Sequence, residues 1–132
     1  MNRNYITTLS LIALLLCGCS KQKQLSQLLF AADHVVATNH NDQTFSCTVS
    51  GGEVNKLAEA VASAKIPHGL KALDFRNPFN WDVAFYAGTG TNSLAVMHLL
   101  NHGFFELDGV QYCDGTGVAE AFWKKLEETR TR

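Results

Sequence analysis

From Leu70 to Cys113 the chain sets a turn signal after every few residues, and this punctuation constrains the fold more than any other feature of the sequence. Leu70 to Phe75 reads as a strand, Asn77-Pro78 breaks it, and Trp81, Val83 and Phe85 share one face of a second strand at 80–87. Gly88-Thr89-Gly90-Thr91-Asn92 turns the chain, Asn101-His102-Gly103 turns it again, and Asp108-Gly109 is the strongest two-residue hairpin signal present. Phe104 to Leu107 and Val110 to Cys113 flank that last turn as strands. Ser93 to Leu100 is open to two readings, since its Leu, Ala and Met favour helix with Gly103 as a stop, whereas turn residues on both sides suit a meander. The meander is the better fit.

The segments outside this run supply the rest. Leu25, Leu28, Leu29 and Ala32 recur at helical spacing over 24–32. Asp33 to Thr38 carries Val35 and Val36, Asn39-His40-Asn41-Asp42 turns, and Thr44 to Ser50 alternates with Phe45, Cys47 and Val49 on one face. Ser50-Gly51-Gly52-Glu53 has the spacing of a capping box. Val54, Leu57, Ala58, Val61 and Ala62 then form the clearest amphipathic stripe in the chain, ended by Pro67 and Gly69. A last helix runs from about Asp114-Gly115-Thr116 to Thr129, with Val118, Phe122 and Leu126 on one side. The expected class is α+β: an antiparallel sheet of about five to seven strands with two or three helices packed on one face. A parallel arrangement is disfavoured because only one interior helix separates the strands.

The N-terminus belongs to a different problem. Arg3 gives the first residues a positive charge, and an apolar segment follows from Ile6 to Leu16. As a helix it would span roughly 16 Å, half a bilayer core, which is the length of a signal-peptide h-region rather than a permanent span. Leu16-Cys17-Gly18-Cys19 resembles the lipobox of bacterial lipoproteins, in which an aliphatic residue, two small residues and a cysteine end the leader. The resemblance covers residues 1–20. It implies diacylglyceryl transfer to the thiol of Cys19, cleavage before it, and acylation of the new N-terminus. It also implies residence in the bacterial cell envelope, facing the periplasm from the outer membrane if the cell has one, since Ser20 rather than aspartate follows the lipidated cysteine. The alternative is an ordinary cleaved signal peptide that contains two cysteines. On the lipobox reading the chain divides into a cleaved leader at 1–18, a lipidated N-terminus and short tether at 19–24, and a single α+β domain at 25–132.

Three cysteines then survive of the four. Cys19 carries lipid, which with two or three acyl chains anchors stably. Cys47 and Cys113 lie in expected strands of an exported protein, and an oxidising compartment makes a disulfide between them the default reading. Such a bridge would contribute about 4 kcal/mol by loop entropy.

Few constellations carry chemistry. Eleven basic residues against twelve acidic ones, with no basic run, argue against nucleic acid as a partner. His98 and His102 stand four apart, but Leu99 occupies the position where a zinc protease needs glutamate. Gly115-Thr116-Gly117 opens a helix without the βαβ unit of a nucleotide fold, and is better read as a turn with Asp114 or Thr116 as cap. Asp108-x-Val110-x-Tyr112 places apolar and aromatic residues where calcium needs oxygen. Trp81 and Tyr86 fall on opposite faces of one strand, so one large aromatic faces outward. No cofactor is implied, and neither a catalytic residue nor a metal ligand is assigned. The expectation is a non-catalytic lipoprotein, held to the bilayer through acylated Cys19, that binds a protein or another envelope component near the membrane. Two alternatives stand beside it: a small envelope hydrolase with a site assembled from dispersed Asp and His, and an inhibitor of an incoming enzyme such as a lysozyme.

Overall fold

The computed structural model describes residues 21–67 and 80–131. The expected leader, Cys19 and the strand expected at Leu70 to Phe75 lie outside the described residues. A first helix, α1, covers 21–30. The remaining elements are β1 (His34–Asn39), β2 (Ser46–Ser50), α2 (Gly52–Ser63), β3 (Trp81–Tyr86), β4 (Ala95–Leu99), a 3₁₀ turn at Asn101–Gly103, β5 (Phe104–Leu107), β6 (Val110–Cys113) and α3 (Val118–Thr131). The six strands form one sheet in the order β2-β1-β3-β4-β5-β6, and every neighbouring pair is antiparallel. The expected α+β class holds. Ala95–Leu99 is strand, as the flanking turns favoured.

Alternation decides which side of the sheet is covered. Val35, Ala37, Trp81, Val83, Phe85, Met97, Leu99, Phe105 and Leu107 all point one way and are buried. The helices close over them, with Leu29 from α1, Val54, Leu57 and Val61 from α2, and Ala119, Phe122 and Leu126 from α3 joining the same cluster. Trp81 is the largest side chain in it. Its ring meets Phe45 edge-on at 5.7 Å, and its indole N–H donates to Glu127 Oε1 at 2.8 Å, so the one polar atom of a buried indole is satisfied.

Three local expectations are corrected. Helix α1 already covers residue 21, so the stretch read as a tether at 19–24 is mostly helix. The capping box is absent: Ser50 is the last residue of β2, paired with His34, and the cap of α2 is Gly51 at φ 86° with no side-chain bond. Glu53 turns instead to α3, where Lys125 Nζ donates to both its oxygens at 2.7 Å. The Cys47–Cys113 disulfide is also corrected. Both cysteines are free thiols, Cys47 on β2 and Cys113 on β6, the two outermost strands of the sheet. Five strand spacings place them roughly 24 Å apart, whereas a disulfide needs Cα atoms within about 7 Å. They also point to opposite faces, since Cys47 packs with the core while the core residue of that part of β6 is Tyr112.

Candidate functional site on the open sheet face

The helices cover one face of the sheet, and the other carries the residues between the buried ones. Register orders these into rows that cross the strands. One row is polar through all six: Ser46, Thr38, Asp82, His98, Glu106 and Gln111 stand opposite one another in turn. The next is small, with Thr48 at its edge beside the apolar Val36, Ala84 and Val96. A third joins Ser50, His34 and Tyr86.

Asp82 is the hub of the polar row. His98 Nδ1 donates to its Oδ1 at 2.7 Å, and His40, on the turn after β1, approaches Oδ2 through its own Nδ1 at 3.4 Å. A carboxylate oxygen accepts, so this bond places a proton on His98 Nδ1 and orients the ring. Glu106 stands directly across from His98. β4 and β5 pair only from Met97–Leu107 to Leu99–Phe105, and beyond that they part. The opening is a cleft of about 390 Å³ whose polar lining includes His98, Glu106 and Asp108. Such a cleft can accept a hydrogen-bond donor or a cationic group.

The third row carries the outward aromatic. Tyr86 stacks on His34 with ring centres 5.5 Å apart and planes 14° from parallel. His34 also hydrogen-bonds Asp33, and the Gly88 N–H donates to the other oxygen of that carboxylate at 2.8 Å. The His34 bond first, and then the backbone N–H, hold the Asp33 carboxyl below the usual aspartate range.

The other residues singled out by the sequence lie apart from this face. His102 is exposed in the turn after β4, 3.8 Å from Glu120. Among the described residues no three His, Cys, Asp or Glu side chains are grouped to hold a metal ion. Asp114 is a cap: its Oδ1 accepts from the Thr116 N–H and hydroxyl, and its Oδ2 accepts from the Ala119 N–H of α3 at 2.9 Å. Burial pushes the Cys47 thiol up, with Lys125 pulling back in part, so this thiol is a poor nucleophile at neutral pH. On the helix side a groove of about 310 Å³ separates α2 from α3, with Leu57, Val118 and Phe122 beneath and the Glu53–Lys125 pair across it.

Sequence reading missed the Asp82–His98–Glu106 alignment. Its signal was present in the turn lengths, because the residues of β4 and β5 that face each other follow from where the chain reverses at 101–103.

Comparison of the chain with models of protein families, with curated proteins and with solved structures found no match.

Proposed function

We propose that this chain is a lipoprotein of the bacterial cell envelope, acylated at Cys19, whose α+β domain is a non-catalytic binding module for an envelope protein. The observation that carries the reading is the open face of the sheet. An antiparallel sheet can tolerate one solvated face when that face is polar throughout. This one instead presents a stacked His34–Tyr86 pair and Val96 at 37% exposure beside a polar row, an aromatic and apolar centre with a polar border of the kind partner surfaces use. The Leu16-Cys17-Gly18-Cys19 motif supports the anchor. Crosslinking in native membranes followed by mass spectrometry tests the module. The wild type should yield a defined partner, Tyr86→Ala combined with Val96→Asp should lose it, and Cys19→Ser should release the protein or trap its precursor. An unchanged crosslink from the face variant would overturn the binding surface, and an unchanged membrane fraction of Cys19→Ser would overturn the anchor.

One observation favours a second reading, the small envelope hydrolase. Asp82 orients His98 as a histidine general base is oriented, and the cleft beside it holds Glu106. In that case His98→Ala would abolish turnover of an envelope substrate while leaving the partner crosslink intact.

A further inference from the structure

The fold brings a basic and apolar surface to the end of the molecule where the lipid would be attached. α1 covers residue 21, two residues after Cys19 in sequence, so Lys21 lies within about 7 Å of the lipidated residue even if the chain between them is fully extended. The N-terminal turn of α1 is fastened to the C-terminal end of α2, because Gln22 Nε2 donates to the carbonyls of Val61 at 2.7 Å and Ala64 at 2.8 Å. Immediately beyond Ala64 come Lys65 and Ile66, both exposed; at 53% Ile66 is the most exposed large apolar side chain among the described residues. Lys65 is itself held to the rim of the sheet by paired backbone bonds with Cys113, at 3.0 and 2.7 Å. Lys21, Lys23 and Lys65 therefore share one end of the molecule with Ile66. Asp108 pairs with Lys21 at 3.1 Å and offsets one of the three charges.

We propose that this end is a membrane-docking surface: Lys23 and Lys65 meet the anionic headgroups of the leaflet that holds the Cys19 acyl chains, and Ile66 enters the interface between them. The inference rests on acylation at Cys19 and adds to it a fixed orientation. A domain on a long tether would tumble above the bilayer, whereas one whose anchor lies two residues from a packed helix has its nearest surface set by the fold. The chemistry at that surface suits a charged leaflet, since each lysine near it improves partition about fivefold and an exposed aliphatic side chain gains by leaving water. With the β6 rim against the bilayer, β2 lies about 24 Å away across the sheet and the His34–Tyr86 face stays free for a partner.

The test uses the full-length protein, processed and purified with its lipid and reconstituted into phosphatidylcholine vesicles with or without phosphatidylglycerol. Ile66→Trp places a fluorophore at the proposed contact and Ser46→Trp places one on β2, both at exposed positions that leave the core intact. Measured as the change from the wild type, whose Trp81 and Trp123 set the background, quenching by brominated lipid should be several-fold stronger for Ile66→Trp than for Ser46→Trp. It should rise with phosphatidylglycerol and fall when Lys23→Glu and Lys65→Glu are added. Equal quenching at the two positions in protein whose mass shows the acyl chains would overturn the orientation and leave the anchor standing. Absence of the acyl mass would overturn the anchor, and the docking surface with it.

Discussion

At the scale of single residues, Asp114 does more for the fold than its place between a strand and a glycine-rich turn suggests. The residue is buried, 5% exposed, and its carboxylate is consumed by bonds to Thr116 and to the Ala119 N–H at the start of α3. Burying a carboxylate without partners is costly, but three donors repay it and fix the angle at which α3 leaves the sheet. Asp114→Ala removes the acceptor from all of them and should cost about 2 kcal/mol in denaturant unfolding. Asp114→Asn keeps one acceptor oxygen and should cost less. A loss equal to that of alanine would mean that the charge, rather than acceptance as such, secures the helix.

Elements are placed by turns, and the one between β4 and β5 packs closely against the chain at Asp114. His102 and Gly103 both have positive φ, 60° and 79°. A Cβ built on Gly103 would stand 2.8 Å from the Asp114 carbonyl oxygen, whose residue donates its own N–H to the Gly103 carbonyl at 2.9 Å. Gly103→Ala combines left-handed strain with a backbone clash, and should destabilise by about 2 kcal/mol or more. Gly109→Ala has the same sign of φ, 76°, with open space around it, and should cost less. Measuring both by thermal unfolding separates the clash from the strain. The existence of these elements was readable from the chain, because alternation in Trp81-Val83-Phe85 and the turn at Asp108-Gly109 are local signals. The bounds of α1 and the cap of α2 were not. Lys21 and Gln22 are polar residues in a helix fixed by a distant contact with Val61 and Ala64, and Ser50 was already committed to pairing with His34. The Asp82–His98 pair fell between these cases, since each strand was legible while their relative register depended on the intervening loop.

For the whole molecule, strand order decides what the cysteines can do, and strand order is the property least visible in local pattern. After β2 the chain does not return beside it. α2 carries it beneath the sheet, twelve residues or about 18 Å of helix, to Lys65, which pairs with Cys113 at the far rim. The contacts that bury Val54, Leu57 and Val61 along α2 thus hold Cys47 and Cys113 apart, and no rotation of either side chain closes that distance. Export to an oxidising compartment, expected from the N-terminal motif, would favour a bridge, but the topology forbids it, because bringing β2 to β6 would dismantle the sheet. Alkylation of purified, unreduced protein should therefore label both thiols, with no further label after reduction. Cys47 should react slowly, being packed against the core with its thiol pKa raised by burial, and unfolding should bring it to the rate of an ordinary thiol. A peptide linking the two cysteines, two hydrogens lighter than the separate thiols, would be incompatible with the order β2-β1-β3-β4-β5-β6. Cys113→Ser then supplies the energetic check: it should leave the unfolding midpoint nearly unchanged, whereas a true staple would lose about 4 kcal/mol with either cysteine.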